Sequence, residues 1–224
     1  MHIATGVLAR SQMLVMPMMG LMVMLLSGCA ATTNQVNSTT QVQAINLESH
    51  ALKASGIAFI TPTSVTGQEE DKQTLALAFT EALKLARPDL RVVSLPETLG
   101  AINRSGLDGE YRRMFEDSRL SGIFSRDTLR KVSKVTGVRY LAQLKLGGLR
   151  QESKNRWGLL GIRMLETKTT SLRLFLQIWD GENGSVAWEG AEELTFSHES
   201  LREDPITFKA VVERSANELL ARLP

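Results

Sequence analysis

The chain has 224 residues, 26 basic against 24 acidic for a net charge of +2, and is 43% hydrophobic, 22% charged and 5% aromatic. That length fits one ordinary domain or two small ones, and the composition excludes collagen-like, disulfide-stapled and wholly disordered chains. The near balance of charge leaves no global field for gripping nucleic acid, and the single Cys supplies neither an internal disulfide nor a four-thiolate zinc site.

The amino terminus carries Arg10 and then an uncharged, Met- and Leu-rich run from Met13 to Leu26. As a helix this run spans about 21 Å, short of the roughly 30 Å hydrocarbon core, and Pro17 weakens it further as a membrane span. It reads as a signal segment. The run closes on Leu26-Ser27-Gly28-Cys29 followed by Ala30, which resembles the bacterial lipobox. The resemblance implies cleavage before Cys29 and acylation of its thiol and new amine. Several acyl chains anchor a protein stably, because each buried CH₂ contributes about 0.8 kcal/mol. Ala30 stands where Asp would mark inner-membrane retention, so the expected location is the outer membrane, on its periplasmic side.

Residues 29–46 read as the acylated Cys and a polar tether, since AATTNQVNSTTQVQA from Ala30 to Ala44 has no charge, aromatic, Gly or Pro. As a flexible coil it reaches roughly 20 Å, and its removal is expected to leave the body folded. Residues 47–224 read as a single α/β domain. Gly56–Pro62 has the look of a buried strand, Gln68–Arg87 of an amphipathic helix with Glu69, Glu70 and Asp71 at its positive end, and Leu90–Leu95 of a second strand. This β-α-β opening implies a parallel crossover. Pro96 opens a short helix to about Asn103, Gly109–Leu120 is another, and Ser125 caps a third that Gly137 ends.

Val138–Leu146 then alternates as a strand. Leu172, Leu174, Leu176 and Ile178 alternate with Arg173, Phe175, Gln177 and Trp179 in another, and the turn Asp180–Gly184 leads to a partner strand through Val186, Trp188, Leu194 and Phe196. A closing helix starts at Asp204-Pro205. The fold class is therefore α/β (α+β mixed): a β-α-β start, an antiparallel meander, and a mixed sheet packed by helices.

Thr136-Gly137-Val138-Arg139-Tyr140-Leu141 and Trp179-Asp180-Gly181 through Val186-Ala187-Trp188-Glu189, placed after a lipobox and polar tether, resemble a family. They are similar to periplasmic lipoproteins whose α/β domain is like the amino-terminal domain of the Tol-system protein TolB, a design shared by the curli-secretion and penicillin-binding-protein-activator lipoproteins. The likeness runs from about Gly56 to Glu193. It implies a non-enzymatic role in binding an envelope partner, with homo-oligomerisation as in the curli-export protein as the alternative. It supplies no catalytic signature and no cofactor.

Chemistry is sparse. The body offers His50 near the tether and His198 in the stretch SHES, with no nucleophile elbow, P-loop or dinucleotide fingerprint. No local ligand cluster suggests a metal. Glu192 and Glu193 adjoin in a strand and point to opposite faces, which reads as a solvated edge. Two segments are candidates for partner binding. Arg126, Arg130 and Lys134 recur every four residues as a basic stripe, either the wet face of a helix or a contact for lipid head groups or an acidic partner. Lys154–Met164, with Trp157, Leu159, Leu160 and Arg163, reads as a fourth sheet strand over Leu159–Leu165, a docking loop, or a membrane-active segment.

Overall fold

Three long strands with strict two-residue alternation organise the structure, a computed structural model describing residues 34–48, 50–155, 158–159, 162–163, 166–200 and 207–224. They are β5 (Tyr140–Asn155), β8 (Glu166–Asp180) and β9 (Val186–Ser200). Ahead of them come β1 (Asn34–Ala44), α1 (Ala51–Ser55), β2 (Ile57–Phe59), β3 (Thr63–Ser64), α2 (Glu69–Ala86), β4 (Val92–Val93), α3 (Leu95–Arg104), α4 (Asp108–Ser121) and α5 (Arg126–Thr136). Between β5 and β8 lie β6 (Gly158–Leu159) and β7 (Ile162–Arg163), and α6 (Phe208–Leu220) closes the chain. The main sheet runs β1-β9-β8-β5-β2-β4, with β3 also on β5. β2 pairs parallel with β4 and β5, as the β-α-β opening requires, while β5, β8, β9 and β1 pair antiparallel. This is the mixed α/β sheet expected from the sequence.

Alternation dictates the layers. Tyr140, Ala142, Leu144, Leu146, Leu172, Leu174, Leu176 and Ile178 face one side and are covered by α2 and α6 through Leu75, Phe79, Leu83, Val212 and Leu219. On the other side Ala58, Leu141 and Trp179 are covered by Ile102, Tyr111, Met114, Leu129 and Val132 of α3–α5. Burying a large apolar side chain contributes about 1.5–3 kcal/mol each, so these stripes are what the helices are held by. Glycines on β5 and β9 make close approaches. A Cβ on Gly190 would lie 2.4 Å from the Trp188 ring, and one on Gly147 would lie 2.7 Å from the Phe175 ring. Gly147 falls at the bulge between Leu146 and Gly148, where the β5–β8 register shifts.

Helix ends follow the sequence closely. Ser94 N–H and Oγ donate to Glu97 Oε2 at 2.7 and 2.6 Å, a capping interaction that shortens the expected Leu90–Leu95 strand to Val92–Val93. The Ser125 hydroxyl accepts from Thr128 N–H at 3.4 Å. Arg91 donates to the carbonyls of Gly137 and Thr136 at 2.8 and 3.2 Å, closing the far end of α5. The closing helix starts later than the sequence suggests, because Thr207 caps it through Ala210 N–H at 3.3 Å, while Asp204 and Pro205 lie outside the described residues.

Two expectations fail in physically instructive ways. Residues 34–44 are not a tether: they pair with β9 from Asn34↔His198 to Ala44↔Trp188. Polar composition argues against a buried segment, but an edge strand needs only backbone partners on one side, and Thr- and Val-containing segments suit it. Glu192 is likewise no part of a solvated edge. It is fully buried on the apolar face, where its carboxylate accepts from the hydroxyls of Ser38 at 2.6 Å and Thr40 at 2.5 Å. Glu193 does point the opposite way and pairs with Arg173 at 2.8 Å. Hydrogen bonds to charged groups contribute about 1.5–3 kcal/mol each. A Ser38→Ala/Thr40→Ala variant is therefore expected to lose about 2–4 kcal/mol in urea unfolding, and deletion of residues 30–44 more; stability equal to that of the intact chain would show that the strand is dispensable.

Candidate functional site

The stretches that carry the family resemblance meet in space. Arg139, leading into β5, donates from Nε to Asp180 Oδ1 at 3.1 Å and from Nη2 to Oδ2 at 2.6 Å. Asp180 is 6% exposed and also accepts from Glu182 N–H and the Asn183 side-chain amide, each at 2.9 Å. Arg139 reaches Glu182 as well, at 3.3 Å. Burial alone would raise the Asp180 carboxyl, but the Arg139 hydrogen bonds and the turn N–H groups outweigh it and hold the carboxyl below its ordinary value of 3.8. The motif residues thus build a turn clamp.

The basic stripe of α5 is partly absorbed by the same turn. Arg130 Nη2 donates to the Glu182 carbonyl at 3.1 Å, and a Cβ on Gly184 would lie 2.8 Å from the Arg126 side chain. Lys134 is exposed, and neighbouring Lys131 pairs with Glu110 at 2.6 Å. Of the second candidate segment, Leu159 and Arg163 fall on the backbone of β6 and β7, which pair with each other as a small antiparallel sheet rather than forming a fourth strand over Leu159–Leu165. Cys29, Trp157 and Leu160 lie outside the described residues. His50 is exposed and 3.3 Å from Glu48, and among the described residues no group of three His, Cys, Asp or Glu could hold a metal ion.

Sequence reading missed the face of β5 opposite its leucines. There Gln143 sits across from Gln177, and Lys145 across from Phe175. Gln177 donates to Glu189, while the amide oxygens of Gln143 and Gln177 are buried without a partner. Burial pushes the Lys145 ammonium below its ordinary value, with the charge of Glu189 pulling the other way. Lys145, Gln143, Lys72, Arg119, Phe115 and Phe124 line a groove of about 560 Å³ that opens between the end of α4 and the β3 loop. Beneath it Phe115, Phe124 and Trp179 pack ring to ring at about 5 Å. The signal was present in Leu141-Ala142-Gln143-Leu144-Lys145-Leu146, where polar residues alternate with leucines; Lys72 and Arg119 join only through the fold.

The clamp fixes a pH dependence. A carboxyl lowered in the folded state stabilises above its unfolded pKa, and that contribution is lost as pH falls through the folded value. Stability is expected to drop on acidification below about pH 4, less steeply in Asp180→Asn, measured by thermal unfolding from pH 7 to 2; parallel curves for the two proteins would remove Asp180 from the account.

No family model matches the chain, and no curated protein matches it. Solved structures do. The PelC dodecamer from Paraburkholderia phytofirmans is 12% identical, with 85% of this chain and 97% of that one covered at a TM-score of 0.42. Lipoprotein GNA1162 from Neisseria meningitidis is 12% identical over 67% of this chain and 87% of that one, at 0.42. A PDZ domain protein from Parabacteroides distasonis is 11% identical, covering 88% and 38% respectively, at 0.35.

Proposed function

We propose that the chain is a non-enzymatic lipoprotein of the bacterial envelope, held to the periplasmic face of the outer membrane by acyl chains on Cys29, whose α/β domain docks on an envelope assembly or transport partner. The lipobox supplies the anchor, and the TolB-like motifs supply a scaffold rather than a catalytic centre. The observation that carries docking is the antiparallel half of the sheet. Past Leu146, where β3 ends its pairing, no described strand pairs with the outer edge of β5, although β5 continues to Asn155. At the opposite side β1 is an edge strand along its whole length. Edges that no described strand covers offer rows of N–H and C=O groups to an incoming strand. An acyl anchor concentrates the domain at the membrane, so a modest interface suffices.

The same observation favours a second reading, an oligomeric secretion component resembling the curli-export protein. The β1 and distal β5 edges differ, so copies joined through them would meet head to tail and close a ring if the rotation allows. Among the described residues no helix is long and apolar enough to cross a membrane. Light scattering coupled to size exclusion of the acylated protein in detergent separates the readings. A monomer or dimer, together with photocrosslinks from positions 41, 150 and 157 to a different envelope protein, is the expected result; a ring-sized mass with crosslinks only between copies would establish the second reading instead.

A further inference from the structure

Exposed apolar residues adjoin the lining of the groove beside α4. Val65 on the β3 side is 67% exposed; Leu120 and Ile123 on the α4 side are 95% and 65% exposed. Single exposed apolar residues are ordinary, but these three follow or precede lining residues of one groove in the chain, Val65 after Ser64, Leu120 after Arg119, and Ile123 between Gly122 and Phe124. Within the groove stand three cations, Lys72, Arg119 and Lys145, and among the described residues no carboxylate lines it. Lys72 is shared with exposed Glu69 at 3.0 Å. Arg119 and Lys145 have no ion-pair partner among the described residues, and Lys145 is half-buried on the rigid central strand.

Apolar tips adjoining a cationic recess suit an interfacial ligand that is itself apolar around an anion. A small soluble anion would use the cations and leave the apolar tips in water, and an acidic protein would leave the recess only partly filled. We propose that this groove receives the phosphate headgroup of an anionic lipid, with Val65, Leu120 and Ile123 entering the acyl boundary around it. The proposal goes beyond docking on a protein partner and rests on the acyl anchor, which keeps the domain within reach of the bilayer. It gives the tethered domain a second, orienting contact with the membrane, since one anchor alone leaves rotation free. Arg119 and Lys145 act as the phosphate ligands, and the exposed tips read depth.

The test uses the acylated full chain carrying Leu120→Cys labelled with an environment-sensitive fluorophore, Cys29 being consumed by its lipid. It is reconstituted in phosphatidylcholine vesicles with and without one third phosphatidylglycerol. Flotation with pure phosphatidylcholine reads the anchor separately, so a missing anchor and an unfilled groove give different results. The expected outcome is a blue shift and loss of iodide quenching on phosphatidylglycerol vesicles alone. Arg119→Glu is expected to abolish both, and Lys145→Gln to weaken both. A label at Leu85→Cys, on the far end of α2, is expected to stay in water on both vesicles. A label at 120 that remains aqueous on phosphatidylglycerol vesicles overturns the proposal. So does an equal shift at 85, which would mean adsorption without a site. Inorganic phosphate binding with an aqueous label at 120 would make the groove a free-phosphate site and also overturn it.

Discussion

The requirement that one whole face of a period-two ladder be buried governs this molecule. Along β5 and β8 the leucines and Ile178 point one way without interruption from Tyr140 to Leu146 and from Leu172 to Ile178. A slip of one residue would turn that entire set to the opposite face, so the register is strongly specified. α2 and α6 cover this face. The opposite face is covered by α3–α5 only near Leu141 and Trp179, and from Gln143 and Lys145 onward it turns polar. The groove, the buried glutamines and the Arg173–Glu193 pair all follow from that second face being left to half-polar residues.

At one end of the ladder the Arg139–Asp180 pair ties the entry of β5 to the exit of β8 and gathers the turn through Glu182 and Asn183. Arg130 of α5 adds a bond to the same turn. The Val-Arg-Tyr-Leu and Trp-Asp-Gly stretches are thus two halves of one clamp, joined through Arg139 and Asp180. At the other end β1 closes over the buried Glu192 carboxylate. Burying a carboxylate on an apolar face is costly without partners, and Ser38 and Thr40 supply them. The strand nearest the proposed anchor is thereby joined to the body.

Most of the fold was legible because it rests on local patterns. Helix α5 announced itself by Ser125, its stripe of Leu129 and Val132, and Gly137; the long strands by alternation; the crossover by strand, helix and strand in order. What was not legible depends on partners distant in sequence. Nothing local in Asn34–Ala44 shows that β9 waits for it, and nothing in Glu192-Glu193 shows which carboxylate would be roofed by hydroxyls more than 150 residues away. The groove was half legible, since Gln143 and Lys145 break the apolar pattern of β5, whereas Lys72 and Arg119 arrive from two helices. Of the sequence's partner-binding candidates on α5, Arg130 bonds the turn at Glu182, and Arg126, Arg130 and Lys134 are all exposed.

The antiparallel arm, with β1 as a true strand and no described strand on the distal edge of β5, is on this reading the means by which an anchored domain takes hold of its surroundings. Native-state hydrogen exchange of the acylated protein in detergent examines this most directly. The expected result is alternating slow and fast amides along Asn37–Ala44, the slow ones paired with β9, and fast outward amides on β5 beyond Leu146. Uniform random-coil exchange across Asn37–Ala44 would return that segment to a tether and contradict the account.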